Sequence, residues 1–146
     1  MEPKLILLGE DDANDAELTT RALDLEQQDE SLILLRDGVA VLDYLYRRGV
    51  FSGRPPGNPA LVLLDLKMPR VNGLDVLRSI KSDPALNAIP VVVLTSSAQH
   101  RDIVEAYRLG ANAYVVKPVE FERFSETLRL LSAFWIKVNV PPPPPE

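Results

Sequence analysis

Leu61-Val62-Leu63-Leu64-Asp65-Leu66-Lys67-Met68-Pro69 is the stretch on which the fold turns. Four apolar residues run into a carboxylate, and a proline soon afterwards tightens the turn. A short apolar run bounded by turn signals fits a fully buried strand. Three other runs repeat the plan. Leu5-Ile6-Leu7-Leu8-Gly9 leads into Glu10-Asp11-Asp12, Val91-Val92-Val93-Leu94 into Thr95-Ser96, and Ala113-Tyr114-Val115-Val116 into Lys117-Pro118. In an open parallel α/β sheet, ligands bind outside the carboxyl ends of the strands. If these runs are neighbours in one sheet, several carboxylates, a hydroxyl and one amine converge on a single pocket. Such a pocket suits a divalent metal and a phosphoryl group.

Helical patterns alternate with the runs. Leu18, Ala22 and Leu25 lie at helical spacing between about Ala13 and Glu26. Leu32 to Leu35 is a further short strand. Val41, Leu42 and Leu45 continue a helix after Asp37-Gly38 to about Arg48. Gly73 opens a helix with Val76, Leu77 and Ile80 on one face, and Gly110 stops one carrying Ile103, Ala106 and Tyr107. The last helix holds Phe121, Phe124, Leu128, Leu131 and Trp135. A fivefold β-α alternation predicts a parallel sheet with helices on both faces, because parallel crossovers need a helix. Val50 to Pro59, rich in Gly and Pro, reads as a long exposed loop. Residues 1–140 form one expected domain, and Pro141 to Glu146 a disordered polyproline tail.

Composition excludes several classes. The chain has 146 residues, enough for one domain with its own core. Its net charge is -5 and no Lys/Arg-rich run occurs, which argues against nucleic-acid binding. Absence of cysteine removes disulfides, thiolate catalysis and Cys-ligated zinc. His100, the lone histidine, cannot build a His-rich metal site. No stretch has the length of a membrane span and no signal peptide opens the chain, so a cytoplasmic location is expected.

Each candidate site residue has a bland reading beside the chemical one. Asp65 can attack phosphorus as a carboxylate nucleophile, or merely cap a turn. Glu10, Asp11 and Asp12 repel one another unless a hard cation such as Mg²⁺ neutralises them. Asp12 or Asn14 also serves as the cap of the first helix, with Glu10 and Asp11 facing the pocket. Lys117, after an apolar strand, needs an acidic partner such as Asp65, or a phosphoryl oxygen. The Lys117–Pro118 bond is a candidate for the cis form. Thr95 can donate to a phosphoryl oxygen, or be an ordinary turn residue. Tyr114 taken alone reads as a core aromatic.

Taken together, these motifs resemble those of response-regulator receiver domains. The resemblance runs from about Lys4 to Ser132 and rests on Ile6-Leu7-Leu8-Gly9-Glu10-Asp11, Leu64-Asp65-Leu66-Lys67-Met68-Pro69, Asn72-Gly73, Val93-Leu94-Thr95-Ser96, Gly110-Ala111-Asn112-Ala113-Tyr114 and Val116-Lys117-Pro118. It implies a flavodoxin-like, doubly wound sheet of order 2-1-3-4-5. It implies Asp65 as phosphoacceptor from a kinase phosphohistidine. Asp11 directly, Glu10 through water, Asp65 and the Lys67 backbone carbonyl would hold Mg²⁺. Lys117 would contact the phosphoryl group, Thr95 would close onto it, and Tyr114 would move inward as the coupled switch. Gly9 departs from the Val-like residue usual there and is expected to loosen the end of the first strand.

A narrower resemblance is to the stand-alone regulators that partner bacterial phytochrome kinases. It rests on the Pro/Gly insertion, the Tyr44-Leu45 to Phe51 stretch, Ser132 to Trp135 and the lack of an output domain. That subgroup implies a sensor histidine kinase of phytochrome type as partner. It also implies a homodimer through the α4-β5-α5 side, with Leu130, Phe134 and Trp135 at the interface. Apolar residues on more than one side of the final helix support a second partner there. An enzyme reading, as a phosphatase or phosphotransferase with an aspartyl intermediate, is disfavoured. Lys67 stands where such chemistry places its second acid. The chain is expected to be a signalling phosphoacceptor that catalyses only its own phosphorylation and dephosphorylation.

Overall fold

The computed structural model describes residues 4–24 and 30–143. Five parallel strands form one sheet of order β2-β1-β3-β4-β5. They are β1 (Lys4–Gly9), β2 (Glu30–Leu35), β3 (Leu61–Leu64), β4 (Val91–Thr95) and β5 (Ala113–Val116). Helices α1 (Ala13–Asp24), α2 (Gly38–Tyr46), α3 (Gly73–Ser82), α4 (His100–Arg108) and α5 (Phe121–Ser132) connect and follow them. This is the flavodoxin-like architecture and strand order expected. Leu25, Glu26 and the end of the polyproline segment, where the first helix's end and a disordered tail were expected, lie outside the described residues.

Apolar residues on both faces of each central strand explain the layering. Leu7, Val62, Leu64, Val91 and Val93 pack with Val41, Val76, Leu77, Ile80 and Ala106 of α2, α3 and α4. Ile6, Leu8, Leu61, Leu63 and Val92 pack toward Leu23 and Ile136. Leu94 meets Ala22, Phe124 and Leu128 beside them. Full burial of one such side chain contributes about 1.5–3 kcal/mol, so the central strands anchor the edge above them.

Side chains cap the helices that lead away from that edge. Asp37 Oδ1 accepts from the Ala40 N–H at 2.8 Å, Asn72 Oδ1 from the Asp75 N–H at 3.0 Å, and Asp12 Oδ1 from the Asp15 N–H at 2.9 Å. Of the two caps considered for α1, Asp12 is the one used.

Gly73 sets how closely α3 approaches the strand ends. A Cβ there would lie 2.2 Å from the Asp65 carbonyl oxygen and 2.6 Å from Leu66 Cα. Gly73→Ala is therefore expected to cost about 3 kcal/mol, the upper end of overpacking effects, since backbone cannot swing aside like a side chain. Urea unfolding measures this directly. Wild-type stability in that variant would refute the close approach.

Two sequence expectations need correction, and a third gains detail. Gly9 does not loosen β1. It pairs on both sides, and a Cβ would meet Leu64, Val41 and Met68 side chains at 3.1–3.3 Å. Its missing side chain is filled by neighbours. The segment from Val50 to Pro59 is the largely exposed loop expected. It opens with a short 3₁₀ turn (Gly49–Phe51) and wraps the Arg54 guanidinium. That group lies 4.2 Å from the Tyr44 ring centroid and donates to the carbonyls of Tyr44, Pro55 and Gly57 at 2.7, 2.8 and 3.1 Å. One cation thus satisfies backbone oxygens that a Pro/Gly loop leaves unpaired. Finally, the described peptide bonds are all trans, Lys117–Pro118 included.

The last helix also differs from a simple continuation. After Ser132 it widens to a π-helical turn, Ala133–Val138. This turn carries Ile136 into the core, and Trp135 packs half-buried beside it. Leu130 and Phe134 stay exposed. Trp135 thus contacts the protein's own core. No helix among the described residues is long and apolar enough to cross a membrane.

Candidate functional site

Sheet register decides which residues meet. Gly9 lies between Leu35 and Leu64, and the Asp65 N–H donates to the Gly9 carbonyl at 2.9 Å. Glu10 and Asp65 thus leave adjacent strands at one level. Thr95 lies beside Val116, and the Lys117 N–H donates to the Thr95 carbonyl at 2.8 Å. The residues expected to terminate separate strands do share one rim.

Lys117 is the hub. Its Nζ donates to Glu10 Oε1 at 2.5 Å, Asp65 Oδ2 at 2.8 Å and Asp15 Oδ2 at 2.9 Å. An ammonium carries three protons, so its donors are fully used. Glu10 is 1% exposed and Asp65 7%. Burying charges this deeply is tolerated only with close pairing. Asp15 is the member missed by sequence reading. An acid in the first turn of a helix is ordinarily explained by the helix dipole, which conceals any second role.

These contacts set the charge states. Burial pushes the Glu10 carboxyl up to about 7, with the Asp65 charge adding and Lys117 only partly offsetting. Burial acts the same way on Asp65. There the hydrogen bond and charge of Lys117 outweigh it, aided by Glu10 and by the Lys67 N–H at 3.2 Å. Asp65 is held below the ordinary carboxylate range. Burial works against the Lys117 ammonium, and the Asp65, Glu10 and Asp15 contacts overcome it and raise its pKa. Two adjacent carboxyls pushed in opposite directions give one ionised group and one that holds a proton near neutrality.

The Glu10 shift predicts a pH effect on the metal-free protein. A carboxyl raised from 4.5 to about 7 binds more protons folded than unfolded. Its contribution to stability is therefore largest near pH 4.5 and falls as pH rises through 7, by up to ~3 kcal/mol. Asp65 acts oppositely, but its contribution is lost only as pH falls below its unfolded value of 3.8. Urea unfolding in chelator should show stability declining between pH 5 and 8, and a rising curve would refute the Glu10 assignment.

The switch residues meet through a residue the sequence reading passed over. Thr95 is fully buried, and its hydroxyl accepts from the Ser97 N–H at 3.4 Å. Tyr114 donates its hydroxyl to the Ser97 carbonyl at 2.8 Å. Ser97 Oγ accepts from the Gln99 N–H at 3.3 Å and donates to Asp102 Oδ2 at 2.5 Å. Ser97 thereby joins Thr95, Tyr114 and the first turn of α4. A serine between Ser96 and Ala98 gave no signal of this, because its contacts with Thr95 and Tyr114 use backbone atoms.

Asp11 is exposed and outside the Lys117 cluster, with its backbone carbonyl accepting from Arg36 Nη2 at 2.9 Å. Among the described residues, no group of three or more His, Cys, Asp or Glu is arranged to hold a metal ion. The donor chemistry nonetheless fits a hard cation. Glu10, Asp11, Asp65 and the Lys67 carbonyl offer only oxygen, and one ammonium leaves the acids under-neutralised. Mg²⁺ needs only one or two carboxylates because it keeps several waters, so a closed cage is not required.

A parallel 2-1-3-4-5 sheet with acids, a threonine and a lysine on its carboxyl rim defines a class of signalling domain. The chain belongs to the response regulator receiver domain family, whose model matches residues 6–129. Several of the proteins it resembles are phytochrome response regulators. Response regulator Rcp1 of Synechocystis sp. (strain ATCC 27184 / PCC 6803 / Kazusa) is 38% identical over 135 residues, covering 92% of this chain and 90% of Rcp1. The crystal structure of the Mn(2+)-bound form of Rcp1 superposes with a TM-score of 0.91 at 37% identity, covering 97% of this chain and 100% of that one. Bacteriophytochrome response regulator RtBRR is 52% identical with a TM-score of 0.77, covering 97% and 85% of the two chains. The phosphorylated cyanobacterial phytochrome response regulator RcpA is 34% identical with a TM-score of 0.92, covering 97% and 99%.

Proposed function

We propose that Asp65 accepts a phosphoryl group from the phosphohistidine of a bacteriophytochrome-type histidine kinase, and that the acyl phosphate switches the α4-β5 side of the domain. One observation carries this reading: Asp65 is a buried carboxylate kept ionised by direct contact with Lys117. An ionised oxygen is the nucleophile that in-line transfer needs, and Lys117 supplies positive charge for the group in flight. The phosphorylated structure of the relative RcpA supports the same reading.

Asp65, Asp11, Glu10 and the Lys67 carbonyl would hold Mg²⁺, which when bound supplies charge neutralisation for the phosphoryl oxygens. The Mn(2+)-bound form of Rcp1 supports a divalent site. Chelation with EDTA is expected to reduce labelling by phosphoramidate about a hundredfold. Undiminished labelling in EDTA would remove the metal from the account.

Thr95 turns its buried hydroxyl toward the phosphoryl group, giving up the Ser97 N–H. Loss of that contact frees the loop on whose carbonyl Tyr114 rests, and the tyrosine moves inward. Phosphorylation thus acts as a ligand that shifts a two-state equilibrium. The domain processes no other substrate and removes its own phosphoryl group by hydrolysis. It works in the cytoplasm, without nucleic acid or membrane.

The readout face carries exposed apolar groups. Val104, Tyr107, Val116 and Val119 lie on α4, β5 and the turn after it, and Leu130 and Phe134 on α5 and its extension. We read this as a homodimer surface, with Trp135 at its inner margin. Phe134→Glu is expected to convert a dimer to a monomer at micromolar concentration in sedimentation velocity, because a buried unpaired carboxylate is costly. An unchanged sedimentation coefficient would move the interface elsewhere. The direct test of function is incubation with an autophosphorylated bacteriophytochrome kinase carrying labelled phosphate. Transfer to this chain is expected, and no transfer from any phytochrome-type kinase would reject the partner class.

A further inference from the structure

Lys117 has no donor to spare, yet the proposed function, on which this inference rests, requires it to meet a phosphoryl group. Its three protons go to Glu10, Asp15 and Asp65. One contact must be exchanged. The side chains of Glu10 and Asp65 are 1% and 9% exposed, whereas that of Asp15 is 32% exposed. A carboxylate released toward water regains its hydration, and one released inside the protein does not. While Asp65 is still the attacking carboxylate and Glu10 stays buried, the exchange that meets the incoming phosphoryl group therefore falls on Asp15. We infer that Asp15 is a positioning residue that occupies one proton of Lys117 in the resting state and cedes it to the phosphoryl group.

The place of Asp15 in the fold supports this role. It stands in the first turn of α1, its own N–H tied to Asp12 Oδ1 at 2.9 Å. Its backbone is thus set by a helix, not by the strand ends that carry Glu10 and Asp65. It can release Lys117 without disturbing either. Its negative charge also opposes the approach of an anionic phosphodonor. Both effects have the same sign, so Asp15 restrains phosphorylation.

Asp15→Asn replaces a charged acceptor by a weaker neutral one of equal size. The initial rate of labelling by phosphoramidate at saturating Mg²⁺ is expected to rise about five- to tenfold. Asp15→Glu, which restores a charged acceptor, should return the rate to near wild type. A residue needed only to hold the site together would give the opposite result, slower labelling with a lower urea midpoint. An unchanged or reduced rate in Asp15→Asn would overturn the inference. If that variant does not fold, Asp15→Ser applies the same test with the same expected direction. Failure of the wild type itself to label would instead overturn the phosphoacceptor reading, and this inference with it.

Discussion

Asp65→Asn is expected to abolish labelling, by phosphoramidate and by a phosphorylated kinase alike, while leaving the protein folded. The amide has the size of the carboxyl and keeps an oxygen to accept the Lys67 N–H, which lies 3.2 Å from Oδ1. What it lacks is a nucleophilic oxygen. The rate should therefore fall to background, at least ~1,000-fold, as when other nucleophiles are removed. Stability at pH 8 should fall by only about 1–2 kcal/mol, because Lys117 loses the Asp65 charge but keeps Glu10 and Asp15. Loss of the cooperative urea transition together with the label would mean the loss reflects unfolding. Labelling at the wild-type level would reject Asp65 as acceptor.

Lys117→Met should have a large effect on stability, and one that depends on pH. It removes the one cation that Glu10, Asp15 and Asp65 share. Breaking a buried ion pair by deleting one partner typically costs about 3–5 kcal/mol, because a charge is left uncompensated. The cluster has an escape, since Glu10 already takes up a proton near pH 7. Without Lys117 the carboxyls hold protons to still higher pH, and protonated acids need no counter-charge. The folded state then binds more protons than the unfolded one, so the variant's stability falls as pH rises. Destabilisation should be about 3 kcal/mol at pH 8 and should shrink markedly by pH 6. Urea curves at the two pH values decide it. An equal loss at both would show that packing, and not charge, accounts for the role of Lys117. Labelling should be slowed as well, since the group in flight loses its fixed positive charge.

The parts of the fold that could be read in advance are those whose chemistry is local. Runs such as Leu61–Leu64 and Val91–Leu94 announced buried parallel strands, and the polar residue ending each run marked the rim. Gly73 and Gly110 punctuated α3 and α4 as expected. Asp15 was invisible because its partner, Lys117, lies across the sheet and only tertiary geometry links them. Ser97 was invisible because its links to Thr95 and Tyr114 run through its own N–H and carbonyl. The loop after α2 was legible as exposed, but no pattern in sequence shows that Arg54 folds back over Tyr44. Gly9 was misjudged for a related reason. Absence of a side chain reads as looseness until one sees Val41, Leu64 and Met68 in the space. Helix α5 showed apolar residues on two sides. The helix widens to a π-helical turn after Ser132, yet Leu128, Ser132 and Ile136 still recur every four residues on the inner side while Phe134 stays out, so the two sides were legible and their packing partners were not.

The central claim is that one carboxylate on this rim forms an acyl phosphate. Borohydride reduction of the phosphorylated chain converts an aspartyl phosphate to homoserine, and peptide mass spectrometry reports the position. The account predicts homoserine at position 65 and nowhere else. Homoserine at another aspartate, or none in a chain that carries label, would contradict it.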